Sequence, residues 1–186
     1  MRILTTLITI IALSGGLTLG AEEKPADFHR SLDVSLASNY AYKDTLGGLG
    51  LGYSPMLSYN YYLAHDYLFG ITLLRYTLYP AADHPAQNFA YGFLFKHYLP
   101  KSWADLGSAV PWLSYSILLN QLIQDGSPGR GIAHDTRISL GSDFVLSDHH
   151  RLFLEGAWDM SDFSALDGHQ DTVSAVSLGL GYRFLF

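Results

Sequence analysis

The sequence predicts an all-β protein, a transmembrane antiparallel up-and-down β-barrel of about eight strands. Three observations predict it. From Arg30 onward, runs of about 10 to 14 residues alternate bulky apolar with small or polar side chains, and short stretches rich in Gly, Pro, Asp, Asn, Ser and His separate them. Beyond the first 21 residues, no segment offers the roughly 20 apolar residues that a membrane-crossing helix needs. The bulky set also outnumbers what a narrow barrel can enclose, so it must face outward. Only lipid tolerates that surface, and only helices and closed barrels satisfy their backbone in lipid.

The strands follow in order. The first, about Arg30 to Tyr42, sets Leu32, Val34, Leu36, Tyr40 and Tyr42 against Asp33, Ser35, Ala37, Asn39 and Ala41. The second, about Leu49 to Leu63, sets Leu49, Leu51, Tyr53, Leu57, Tyr59 and Tyr61 against Gly50, Gly52, Ser54, Ser58 and Asn60. Pro55 lacks the N–H that a ladder needs, so a bulge or local break is expected there. The third, about Tyr67 to Tyr79, is ambiguous, because Arg75 shares a parity with Phe69, Ile71 and Leu73. The fourth, about Asn88 to Leu99, opposes Phe89, Tyr91, Phe93 and Phe95 to Ala90, Gly92 and Lys96.

The fifth, about Val110 to Ile123, opposes Leu113, Tyr115, Ile117 and Leu119 to Ser114, Ser116 and Asn120. The sixth, about Ala133 to Leu146, opposes Ile138, Leu140, Phe144 and Leu146 to Arg137, Ser139, Gly141 and Asp143. The seventh, about Arg151 to Phe163, opposes Leu152, Leu154, Trp158 and Met160 to Glu155, Ala157, Asp159 and Ser161. The last, Thr172 to Phe186, carries Val176, Leu178, Leu180, Tyr182, Phe184 and Phe186 on one face. Splitting of the ambiguous stretches would give ten strands.

Tight connections at Ala64 to Asp66 and Ser147 to His150 alternate with longer polar ones at Pro80 to Gln87, Gln124 to Gly131 and Ser164 to Asp171. Bacterial barrels show this asymmetry of periplasmic turns and extracellular loops. Lys101 to Ser108 is long for a turn, and Lys43 to Gly48 is short for a loop.

The small, inward set carries charges: Asp33, Lys96, Arg137, Asp143, Glu155, Asp159 and Arg183, with Arg75 as a further cation. Charges in a narrow interior demand partners, so a salt-bridged, plugged lumen is expected. Aromatic girdles are expected at Tyr40, Tyr42, Tyr76, Tyr79, Phe89, Tyr91 and Trp158 toward one rim. Tyr59, Tyr61, Tyr67, Trp112, Phe144, Phe184 and Phe186 would form the other.

Composition bounds the rest. The chain has 186 residues, no cysteine and a formal charge of −6. That excludes disulfides, thiolate metal sites and a lipid-anchor cysteine, and it argues against a nucleic-acid partner. No cofactor is expected. Arg2, the apolar run Ile3 to Leu13 and the small residues Gly20 and Ala21 form the layout of a secretory signal. The expected organisation is a signal peptide over 1–21, a short periplasmic segment over 22–29 and the barrel over 30–186. Export of such a barrel implies the outer membrane of a Gram-negative cell.

The ending Leu178-Gly-Leu-Gly-Tyr-Arg-Phe-Leu-Phe186 resembles the terminal strand of bacterial outer-membrane proteins. In that family a terminal Phe with apolar or aromatic residues at every second position is the assembly signal. The resemblance gives that role to Leu178, Leu180, Tyr182, Phe184 and Phe186. It implies the barrel-assembly machinery and periplasmic chaperones as partners, and outer-membrane lipid and lipopolysaccharide as surroundings. Strand count and size resemble the OmpA transmembrane domain and OmpX.

Three candidate sites remain. Acid–histidine pairs occur at Asp83-His84, His134-Asp135 and Asp167 to Asp171. They suit cation binding or pH sensing, and equally solvated turns. His134 and Thr136 share the outward parity and resemble the His and Ser, two residues apart, of the lipid A deacylase barrels; the palmitoyltransferase barrels offer a similar rim. There His134 would be the base, although no third group converges on it in sequence. The lumen charges themselves are the third candidate, structural or part of a narrow channel. The first expectation is a barrel that is structural or presents its loops. The alternatives are an outer-leaflet lipid A-modifying enzyme and a small-solute channel.

Overall fold

The computed structural model describes residues 29–44, 48–64, 66–80, 82, 85–100, 109–124, 131–162 and 172–186. The expected signal peptide, most of the short segment after it and most of the loop residues lie outside the described residues. Eight strands run β1 (Arg30–Asp44), β2 (Gly50–Ala64), β3 (Tyr67–Tyr79), β4 (Ala86–Tyr98), β5 (Ala109–Gln124), β6 (Gly131–Ser147), β7 (His150–Asp162) and β8 (Thr172–Leu185). Each pairs antiparallel with the next, and β8 pairs antiparallel with β1. Closure leaves no unpaired sheet edge. The short connections β2–β3 and β6–β7, the start of β1 and the end of β8 share one end of the barrel, here the turn end; the opposite end is the loop end.

The alternation read in the sequence sorts the two faces. Leu36, Phe93 and Leu180 each keep 59% of their surface exposed, and Val34, Ile117 and Leu73 about half. A soluble protein does not bare a continuous belt of this kind. Inward positions are small or polar, with Ser, Asn, Thr, Ala and the charged residues buried.

Period two fails in β3 and at Leu49, each for a local reason. In β3, Phe69, Ile71 and Leu73 face out, and so do Leu74 and Tyr76, while Arg75, Thr77 and Tyr79 face in. Registers on both sides shift here, between Leu57 and Ser58 against β2 and between Thr72 and Arg75 against β4. An inserted residue, a β-bulge at Leu73–Leu74, reverses the parity and turns Arg75 inward. This settles the ambiguity of the third strand.

Pro55 gives a local break in one ladder rather than a bulge. Its register against β1 is continuous, with Leu36 as partner, and against β3 the ladder is only interrupted between Tyr53–Leu78 and Met56–Arg75.

Leu49, expected on the outward face, is fully buried. Gly48 and Gly50 flank it with φ of 73° and 61°, left-handed values that break the alternation and fold Leu49 into the mouth.

Two girdle residues also point inward rather than outward. Tyr79 is carried in by the β3 bulge. Trp112 shares the parity of Ser114 and Ser116 and is fully buried. The barrel makes room for bulky inward rings with glycine on a neighbouring strand. A Cβ at Gly141 would sit 2.4 Å from the Trp112 indole, and one at Gly181 would sit 2.1 Å from Cζ of Phe153. The remaining rims carry the expected rings. Trp158 Nε1 donates to the Tyr42 hydroxyl at 2.8 Å at the loop end, and Phe184 and Phe186 lie 5.8 Å apart at the turn end.

Candidate functional site

Among the described residues, side chains occupy the lumen at both ends and between them. At the loop end, Leu49, Tyr79, Leu122 and Val173 pack with Ala41, Ala82, Ala86, Ala133 and Ala175 into an apolar plug. At the turn end, Tyr98, Trp112 and Phe153 form a second, backed by Tyr62 and Val110. Between the plugs lie two groups of charges.

The group nearer the loop end is a chain of alternating sign. Arg75 Nη1 donates to Asp135 at 3.1 Å and to Asp159 at 2.6 Å. Arg137 Nη1 donates to the other Asp159 oxygen at 2.8 Å and to Ser177 Oγ at 3.3 Å, and its Nη2 donates to Glu155. Asp159 on β7 therefore ties β3 to β6 across the interior.

The group nearer the turn end centres on Arg183. It binds Asp33 through two hydrogen bonds, and its Nη1 reaches both Asp143 and the Tyr98 hydroxyl. Trp112 Nε1 donates to Asp143 at 2.7 Å, and the Tyr98 hydroxyl donates to it at 3.0 Å. Lys96 Nζ stands 4.0 Å from Asp33 and 3.8 Å from the centre of the Trp112 ring, a cation–π contact. Arg151, with 15% of its side chain exposed, approaches Asp143 at 3.9 Å.

Five cations (Arg75, Lys96, Arg137, Arg151 and Arg183) thus face five acids (Asp33, Asp135, Asp143, Glu155 and Asp159) among the described residues. A buried charge costs several kcal/mol of desolvation unless its partners are close and well placed, so balance and contact are requirements of this interior. Smaller polar side chains fill the gaps: Asn39 donates to Ser54, Asn60 to Ser31 and Asn120 to Ser161. Among the described residues, small cavities interrupt the packing. One of about 20 Å³ lies between the charge groups, lined in part by Lys96, Arg137 and Glu155; one of about 10 Å³ lies under Tyr79 and Leu49. The larger has room for about one water molecule.

Every lumen charge named from the sequence is buried inside the barrel. Three participants escaped that reading. Asp135, paired there with His134 as an acid–histidine motif, lies within the sixth strand and points inward. Its parity with Arg137 is the signal that finds it. Arg151 shares the parity of Glu155, and Tyr98 that of Lys96; both sit at strand ends where parity was not carried through. The pairs Asp83-His84 and Asp167 to Asp171 lie outside the described residues.

At the loop end of β6, His134 is exposed and Thr136 half-buried on the same outward face. Asp135 between them points inward and serves Arg75. The register sets Asp162 of β7 opposite His134, and Met160 opposite Thr136. Met160 in turn faces Ser174 of β8. Asp162 is exposed on the same face, and nothing in its sequence neighbourhood pointed to it, because it is a cross-strand neighbour. At the other end of the fold, Leu178, Leu180, Tyr182, Phe184 and Phe186 all face outward with 39 to 59% exposure.

No family model matches the chain, and comparison with curated proteins finds no match. Solved structures do share its architecture. Neisserial surface protein A is 17% identical, with 88% of this chain and 100% of that one covered and a TM-score of 0.61. The outer membrane protein OprG from Pseudomonas aeruginosa is 10% identical, with coverage of 86% and 96% and a TM-score of 0.57. The outer membrane enzyme PagL is 16% identical, with coverage of 83% and 99% and a TM-score of 0.55. At these identities the likeness shows the fold: a closed, all-antiparallel barrel of eight strands, the architecture of small outer-membrane barrels.

Proposed function

We propose that this protein is an integral outer-membrane barrel with a closed lumen, acting through its lipid-facing wall and its rims rather than as a pore. One observation carries the reading: a continuous belt of exposed apolar side chains surrounds an interior of paired charges capped by apolar plugs at both ends. The belt calls for lipid, and apolar plugs standing across both ends of the described interior support a closed lumen. In this reading the turn end faces the periplasm and the loop end the outside, as in bacterial barrels generally. The 1–21 segment is the export signal. The outward row from Leu178 to Phe186 is what the assembly machinery reads, after periplasmic chaperones deliver the chain.

The test is insertion. The refolded chain should float with lipid vesicles, and it should migrate faster on SDS gels unheated than boiled. Equal migration with no flotation would defeat the reading.

A second reading has its own support. His134, Thr136 and Asp162 bring an imidazole, a hydroxyl and a carboxylate to one outward face at the loop end, on a fold shared with an outer-membrane enzyme. In this reading His134 serves as base for Thr136 in modifying an outer-leaflet lipid, with Asp162 orienting it. Mass spectrometry of lipid A from cells with the protein, without it, and with His134→Ala decides it. A change of one acyl chain that depends on His134 establishes the enzyme, and unchanged lipid A removes this reading.

A further inference from the structure

The cavities of this interior differ in what lines them. The one of about 10 Å³ lies beneath the loop-end plug, with Leu49 and Tyr79 on one side and Arg75, Asn88 and Asp135 on its walls. Each of those three wall residues carries a buried polar atom that no protein group satisfies: Nε of Arg75, Oδ1 of Asn88 and Oδ1 of Asp135. The residues are 4%, 8% and 1% exposed, so bulk solvent does not reach them. No residue lining the larger cavity carries such an atom. Demand for a partner, rather than volume, marks the smaller cavity.

The local geometry explains the demand. Arg75 commits Nη1 to Asp135 Oδ2 and to Asp159 Oδ1, which leaves its Nε–H and the other Asp135 oxygen unmatched. Asn88 stands on β4, two residues from Ala90, the register partner of Arg75, and lines the same space. The nearby amide of Asn120 is engaged elsewhere, its Nδ2 donating to Ser161. An unpaired buried polar group carries its full desolvation cost, and native interiors rarely leave three together.

The three atoms also define what fits between them. They are one donor and two acceptors. A cation suits the two oxygens but meets the Arg75 guanidinium. An anion suits the guanidinium but meets two acceptor oxygens, one of them a carboxylate's. Water answers all three, accepting from Arg75 Nε–H and donating to Asn88 Oδ1 and Asp135 Oδ1. Three bonds is the usual number for a buried water, and about 10 Å³ is close to the least space that holds one.

We propose that this pocket is a binding site for a single structural water, which ties Asn88 of β4 into the Arg75–Asp135–Asp159 ion chain. Among the described residues β4 contributes no side chain of its own to that chain, so the water is its link to β3 and β6 across the interior. The inference concerns the interior alone and does not depend on what the loops or rims do.

The test is a high-resolution crystal structure of the refolded full barrel, from untreated crystals and from crystals soaked in thallium(I), which stands in for a monovalent cation. The expected result is one density peak at about 2.7–3.2 Å from Arg75 Nε, Asn88 Oδ1 and Asp135 Oδ1, with no anomalous signal there after the soak. A site without density overturns the inference, and a thallium signal replaces the water with a cation and overturns it too. Urea unfolding supplies a second readout through two variants. Asn88→Ala keeps room for the water, whereas Asn88→Leu places an apolar group where it sits. A hydrated pocket predicts a lower midpoint for Asn88→Leu than for Asn88→Ala. A dry one predicts the reverse, because the leucine then fills a void beneath an apolar plug, and a midpoint for Asn88→Leu equal to or above that of Asn88→Ala overturns the inference. Should Asn88→Leu fail to refold, the density of the parent barrel decides alone.

Discussion

Asp33 on β1 and Arg183 on β8 are register partners across the strand pair that closes the barrel, and the guanidinium holds the carboxylate through two parallel hydrogen bonds, Nε to Oδ1 at 2.8 Å and Nη2 to Oδ2 at 2.7 Å. The same arginine reaches Asp143 on β6. Replacing Arg183 with Met keeps much of the volume but leaves Asp33 and Asp143 without their shared cation. The expected cost is about 3–5 kcal/mol, read from urea unfolding in vesicles. Adding Asp33→Asn to that variant should cost less than the sum of the single changes, because the pair acts as a unit. Strict additivity would mean that the closing seam does not depend on this contact.

Arg137 holds Asp159 and Glu155 together. Its truncation to Ala leaves two acids close to one another in a sealed interior, with Arg75 still pairing Asp159. A loss of about 3 kcal/mol is expected. An unfolding midpoint equal to that of the parent would show that Arg137 is neither buried nor paired in the membrane.

The bulge at Leu73–Leu74 is what aims Arg75 at Asp135 and Asp159. Deleting Leu74 removes the extra residue and leaves Arg75 on the inward parity, because Thr72, Leu73 and Arg75 then alternate in, out, in. Deletion of Leu74 should therefore keep the Arg75 ion pairs and cost no more than Leu74→Ala. A deletion that costs more by the about 2–4 kcal/mol of a charge turned to the lipid face would contradict the parity that the bulge sets.

Phe153 reaches across to the backbone of Gly181 on β8, where an added Cβ would meet the ring at 2.1 Å. Gly181→Ala must displace a fully packed ring of the turn-end plug, at about 1–3 kcal/mol. The double change Gly181→Ala with Phe153→Leu should recover part of that loss. No recovery would place the strain elsewhere.

Much of this architecture is legible in the sequence because a strand buried on one face and lipid-facing on the other writes its orientation at every second residue. Thr172 to Phe186 does so without interruption, and the structure follows it residue by residue. Legibility ends where one residue changes the count. The bulge in β3 and the left-handed glycines around Leu49 each shift parity, and neither carries a signal that alternation alone can read. Bulk misled in a second way. Large rings such as Trp112 and Tyr79 are expected at the lipid interface, yet Gly141 and Gly52 on neighbouring strands make space for them inside. Asp135 lies inside the sixth strand as the sequence delimits it, and its pairing with His134 draws attention from its parity with Arg137; Asp162 is a neighbour of His134 only through strand pairing.

The central claim is a membrane-spanning barrel whose interior is sealed by paired charges between two apolar plugs. The most direct test is conductance of the purified protein in a planar bilayer, with insertion verified on the same sample by its heat-dependent gel migration. The account predicts no steady current above that of the bare bilayer. A stable, reproducible single-channel conductance from the unmodified chain would contradict it.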